Sequence, residues 1–174
     1  MSVQIKLDKK ESVKIRAIAE KAINKLKKLG KYNKHIANKK FTHQEVMLNG
    51  LGFEFAVAKY LGLKHSVMFT NHHDDGRDIY YKEMWWDCKV VQPNRPDVLI
   101  PLYNSKMKAD GYIFGTGVFP NYEIIGYFNR EDIFQPKFIG EIWFNGKSVT
   151  RYIYPRKLAY PIENLRSRNS SSTF

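Results

Sequence analysis

Gly76-Arg-Asp-Ile-Tyr-Tyr-Lys-Glu-Met-Trp-Trp-Asp-Cys-Lys-Val-Val91 contains two β-rich runs, Arg77 to Tyr81 and Trp85 to Val91, and these set the fold class. Only Lys82-Glu-Met84 separates them, so a hairpin is the simplest connection. Side chains alternate across a strand. Trp85, Asp87, Lys89 and Val91 therefore share one face, and Trp86, Cys88, Val90 and Gln92 share the other. An acid and an ammonium project side by side from an otherwise apolar strand, which is unfavourable to bury unless they are paired or hold a metal. Asp78 lies on the preceding strand within reach of Asp87, and two converging carboxylates repel unless a divalent cation lies between them. Oxygen ligands of this kind suit Mg²⁺, with Mn²⁺ as a substitute.

Upstream, the pattern is helical. Ile15, Ile18, Ala22, Ile23, Leu26 and Leu29 recur at helical spacing with Lys and Arg opposite, predicting a basic amphipathic helix over 9–29. Asp8 and Glu11 have capping-box spacing, and Gly30 is a plausible stop. Residues 31–41 are polar and cationic without a period, as expected of a linker or DNA-facing arm. Thr42-His-Gln-Glu45 is a second capping box, opening a helix predicted to run to Leu61 before Gly62. Glu54 is out of place on it: its neighbours at three and four residues are Gly50, Leu51, Val57 and Ala58.

After Gly62 the texture turns to strands. His65 to Thr70 is predicted extended and Asn71 to Gly76 a polar turn. Prolines 93, 96 and 101 mark an irregular segment. Ala109–Phe119 and Tyr122–Phe128 read as strands around a Pro120-Asn121 turn, Asn129–Phe134 as a short helix, Lys147–Tyr154 as a strand and Ile162–Arg166 as one helical turn. The expected fold is α/β, a central mixed sheet flanked by helices. A basic helix and arm (1–41) would pack on a core (42–166), followed by a disordered tail (167–174), as a single domain.

Composition narrows the function class. Twenty-nine Lys and Arg against 17 Asp and Glu give a net charge of +12, which favours a polyanionic partner such as nucleic acid. No apolar run approaches the roughly 20 residues of a spanning helix, and the first residues lack a signal-peptide h-region. With Cys88 as the single cysteine there is no intrachain disulfide, so a reducing, cytoplasmic setting is expected.

Asp78, Asp87-Cys88-Lys89 and the preceding helix Gly52-Phe-Glu-Phe-Ala-Val-Ala-Lys-Tyr-Leu-Gly62 together resemble the PD-(D/E)XK, or restriction-endonuclease-like, nuclease superfamily. The resemblance covers about residues 42–92. Ala109-Asp-Gly-Tyr-Ile-Phe and Glu123-Ile-Ile-Gly-Tyr-Phe are similar to the closing strands of small phage-encoded members, while Gly76-Arg77 stands where the family name places proline. The resemblance implies that Asp78 and Asp87 bind Mg²⁺, that Glu54 does so directly or through water, and that the Cys88 carbonyl completes the shell. Lys89 would orient or deprotonate the attacking water, and Gln92 matches a glutamine of exonuclease-like branches. The implied activity is DNA hydrolysis, endonucleolytic before exonucleolytic, with RNA left open and a homodimer favoured for cutting two strands. Lys34, Lys39, Lys40 and Arg77 are the candidate phosphate contacts.

Three other readings compete. His72-His73-Asp74-Asp75 has zinc-type donors but also suits a polar turn, and Asp74 or Asp75 could replace Asp78. A Cys88 nucleophile would point away from the charged face. A non-catalytic nucleic-acid-binding protein would use the basic surface and the three Trp, 11 Tyr and 11 Phe for stacking, but it has no need of Glu54 among apolar neighbours.

Overall fold

The computed structural model describes residues 2–28, 42–64, 76–144 and 146–167. In chain order the elements begin with β1 (Val3–Lys6), α1 (Lys9–Lys28), α2 (His43–Leu61), β2 (Ile79–Tyr81), β3 (Met84–Val90) and β4 (Asp97–Pro101). They continue with β5 (Gly111–Val118), β6 (Asn121–Asn129), α3 (Arg130–Ile133), β7 (Ile139–Phe144), β8 (Lys147–Pro155), β9 (Tyr160–Pro161) and α4 (Ile162–Ser167).

Local chemistry sets the ends of both long helices. Asp8 and Glu11 exchange backbone-to-carboxylate bonds of 2.7 and 2.8 Å ahead of α1. Thr42 and Glu45 do the same for α2, whose final carbonyls bond to Gly62 in the left-handed conformation. Asn49 then fixes α2 to the sheet: its Oδ1 accepts from Phe119 N at 3.0 Å, and its carbonyl accepts from the Tyr122 hydroxyl at 3.0 Å. Gly52 permits that approach, because a Cβ there would lie 2.2 Å from the Tyr122 oxygen.

The larger sheet has the order β1-β6-β5-β3-β2, with β9 also on β6, and is mixed: β3 and β5 run parallel, with Asp87 beside Tyr112 and Lys89 beside Phe114. One face packs on the helices through Phe53, Val57, Ile79, Trp86, Ile113 and Tyr127. The opposite face carries Tyr112, Phe114 and Phe128 against Val98, Ile100 and Tyr154 of a second, antiparallel sheet, β4-β8-β7. The fold is therefore α/β with a central mixed sheet. The long helices cover one face of it and a small sheet covers the other.

Several expectations change. The N-terminal segment supplies an edge strand, β1, as well as a helix. The proline-marked segment contains β4, which Pro101 can end because the neighbouring chain turns away into a 3-10 turn at Leu102–Lys106. Residues 139–144 form β7, where no strand was expected. The hairpin turn is Lys82-Glu83 alone, both at positive φ (52° and 61°), a pairing usually filled by Asn and Gly. Lys82 Nζ donating to Leu165 O at 2.7 Å, and Trp86 Nε1 to Tyr81 O at 3.1 Å, hold this turn in place. The predicted 65–70 strand, Asn71–Asp75, the 31–41 arm, Leu29, Gly30 and the tail from residue 168 lie outside the described residues. No described helix is long and apolar enough to cross a membrane.

Candidate active site

Pairing in the hairpin runs from Tyr81 opposite Met84 to Ile79 opposite Trp86. The next residue, Asp78, still donates its N–H to Trp86 O at 3.0 Å, but its side chain replaces the backbone as the next acceptor: Asp78 Oδ2 accepts from Cys88 N at 2.7 Å. Because the N–H and C=O of a strand residue point to the same edge, the Cys88 carbonyl faces this edge too. Strand pairing ends at Ile79, and the Asp78 side chain lies along this edge of β3, close enough to Asp87 for its charge to act on that carboxyl.

Asp87 is 1% exposed in the middle of the larger sheet. Its Oδ1 pairs with Lys89 Nζ at 2.7 Å, and its Oδ2 accepts from Asn104 Nδ2 at 3.3 Å. Lys89 is about a third exposed, 34%, so the pair spans from core to surface. Burial pushes the Asp87 carboxyl up to about 8; Lys89 opposes that rise, and the Asp78 charge adds to it. Tyr112, beside Asp87 on β5, is pushed to about 12 by desolvation and then by the Asp87 charge. Asp78 and Asp87 are therefore close enough to act on one another.

Glu54 reaches the same region from the helix side. Cys88 packs against the helix-facing core, and its thiol is raised by desolvation first, then by Asp78, Glu54 and Asp87. That high thiol pKa, together with its direction away from Asp87, leaves Cys88 unsuited to a nucleophile's role. Among the described residues no three or more His, Cys, Asp and Glu side chains gather into a metal-holding group, so the three acids are not brought together as one ligand set. Asp78 acts on Asp87, and Asp78, Glu54 and Asp87 all act on the Cys88 thiol. The two aspartates fit a hard divalent cation in donor chemistry: all oxygen, and near enough that the Asp78 charge makes Asp87 harder to ionise.

The remaining candidates fall elsewhere. Gln92 follows β3 and leaves the site, its Oε1 accepting from Arg95 Nε at 3.2 Å. It lines an open cleft of about 220 Å³ with Val90, Arg95, Asp97, Leu99 and Arg151. Arg77 lies over the Trp85 ring, 5.4 Å from its centre. Lys34, Lys39, Lys40 and the His72–Asp75 group are outside the described residues. Two neighbours of Asp87 were not expected. Asn104 sits in a 3-10 turn with nothing in its local sequence to mark it, and Tyr112 reaches the site through a parallel register that alternation alone does not give.

Compared with models of known protein families, with curated proteins and with solved structures, the chain shows no significant match.

Proposed function

We propose that the protein is a Mg²⁺-dependent nuclease that hydrolyses phosphodiester bonds in DNA, with a restriction-endonuclease-like core and, for cutting two strands, a homodimeric assembly. The observation that carries this reading is Asp87, a carboxylate 1% exposed with a second carboxylate, Asp78, close enough for its charge to act on it. Such a pair is costly to ionise in the core, and a divalent cation beside Lys89 would complete its neutralisation.

Asp78 and Asp87 are the residues that would hold Mg²⁺, with the Cys88 carbonyl on the same edge. When bound there, the ion supplies a lowered pKa for water and neutralises charge on the phosphate. Lys89, fixed by its 2.7 Å pairing with Asp87, keeps a positive charge at the surface end of the site, where it opposes the charge that builds on the phosphate. Its ammonium also favours the ionised form of Asp87, the form a cation needs. Glu54, whose charge reaches Cys88 from α2, suits a contribution through water.

A second reading draws on the same ion pair: Asp87 and Lys89 satisfy one another at 2.7 Å, as a structural pair in a non-catalytic nucleic-acid-binding protein would. Incubating wild type, Asp78→Asn and Lys89→Gln with linear, circular, single-stranded and branched DNA and with RNA, under Mg²⁺, Mn²⁺ or EDTA, separates the two. Cleavage that needs the metal and falls about 10²- to 10³-fold in each variant is expected, the scale for losing one transition-state charge partner. Equal activity in all three proteins, or binding without cleavage throughout, refutes the nuclease reading.

A further inference from the structure

Two residues before Asp87, on the same face of the sheet, stands an aromatic ladder that the proposed chemistry does not use. Tyr80 pairs directly with Trp85 across the hairpin; their ring centres are 5.0 Å apart at an interplanar angle of 49°. The Arg77 guanidinium lies over the Trp85 ring at 5.4 Å. Tyr80 is 49% exposed, so a large part of its ring is open to solvent on an edge strand of the sheet. The Trp85 backbone is also tied to Asp110. Trp85 N donates to Asp110 Oδ2 at 2.8 Å, and Asp110 N donates to Trp85 O at 2.7 Å.

A core-forming role does not account for this arrangement, because the hairpin's packing is made by its other face, where Ile79 and Trp86 are each 1% exposed. An exposed tyrosine ring backed by Trp85 and beside a guanidinium matches the chemistry of unpaired nucleobases, which stack on rings while the cation meets the backbone. Bases inside a duplex have both faces covered and offer no such surface. We infer that Tyr80, Trp85 and Arg77 form a stacking subsite for an unpaired base of the substrate strand, next to the Asp78/Asp87 site, so that the protein prefers single-stranded or frayed nucleic acid. This inference rests on the proposed nuclease reading for its placement, through the continuity of the two features along β3.

The test separates stacking from cleavage. Single-stranded DNA carrying 2-aminopurine, whose fluorescence is quenched by stacking, is titrated in EDTA with wild type, Tyr80→Phe and Tyr80→Ala, alongside a blunt duplex of the same sequence. Quenching with wild type and Tyr80→Phe is expected, with about 5- to 150-fold weaker single-strand binding for Tyr80→Ala, the range for losing one base–aromatic stack, and less than about twofold change on the duplex. A half-exposed position keeps the variant folded, and its circular dichroism and melting confirm that. Binding without quenching, no binding, or equal losses on both DNAs overturns the subsite. Quenching as expected in a protein that cuts nothing with Mg²⁺ or Mn²⁺ refutes the nuclease reading while upholding the stacking surface.

Discussion

Replacing Asp87 with Asn is expected to stabilise the metal-free protein at pH 8, and to do so progressively less as pH falls toward 4. The carboxyl has an ordinary value of 3.8 and is held at about 8 in the folded chain, burial being the main cause. With the folded value raised, the native state keeps a proton that the unfolded chain releases, so stability is greatest below about pH 4 and falls as pH rises toward 8. Linkage at about 1.36 kcal/mol for each tenfold change, shared with Lys89, makes the loss between pH 5 and pH 8 about 2–4 kcal/mol. For a domain of this size that corresponds to a fall in Tm of roughly 5–15 °C. Asn has nearly the shape of Asp, its oxygen still accepts from Lys89, and a turned Asn104 amide presents an oxygen to its NH₂. The variant should therefore lose the pH-dependent cost and keep the packing.

Differential scanning calorimetry of both proteins in EDTA, from pH 5 to pH 8, reads this directly as the gap between two Tm curves. General charge effects act on both chains and cancel in the difference. Adding Mg²⁺ at pH 8 should then raise the Tm of wild type and leave Asp87→Asn unmoved, because a ligand of the native state stabilises only the protein that binds it. Parallel Tm curves in EDTA would refute the account of Asp87 as a costly buried acid. A Mg²⁺ effect equal in both proteins would place the ion elsewhere.

Two further substitutions test how the scaffold holds the site. Gly111→Ala would set a Cβ 2.4 Å from the Trp86 ring and 2.9 Å from the Phe128 carbonyl, so overpacking of about 1–3 kcal/mol and a displaced β3 are expected, seen as a lower urea midpoint together with lost cleavage. A midpoint unchanged from wild type would mean the contact relaxes freely. Thr42→Ala removes one half of the capping box ahead of α2 and should cost about 0.5–2 kcal/mol in urea unfolding; no cost would show that α2 takes its start from packing alone.

What the sequence made legible was local chemistry. Thr42 with Glu45, and Gly62 at the far end, bound α2 because caps act within four residues; the hairpin and the faces of β3 followed from composition and alternation. The elements missed depend on distant partners. β1 is four half-exposed residues whose strand character comes from pairing with Asn121–Ile124. β4 is bounded by Pro96 and Pro101, and β4 and β7 meet only through β8 between them, so the second sheet has no local signature. The same division holds within the site. Asp78, Asp87 and Lys89 were found because they share one hairpin, whereas Asn104 and Tyr112 come to Asp87 through tertiary register. Glu54 was legible as an acid out of place, but whether it stands with the aspartates or behind Cys88 depends on which face of the sheet α2 covers.

The site's position follows from where the ladder runs out. β2 is only three residues long, and once its backbone leaves β3 the Cys88 N–H still needs an acceptor. The Asp78 carboxylate supplies it at 2.7 Å, so the acid has a structural reason to be there before any catalytic one. That bond orients Asp78 on the edge of β3 and leaves the Cys88 carbonyl facing the same edge, while Lys89 leads from Asp87 toward the surface. A longer β2 would satisfy Cys88 with backbone and remove the need for the carboxylate. An early end to one strand thus produces both a gap in the sheet edge and the charged group that fills it, beside an aromatic pair that the same hairpin holds open to solvent.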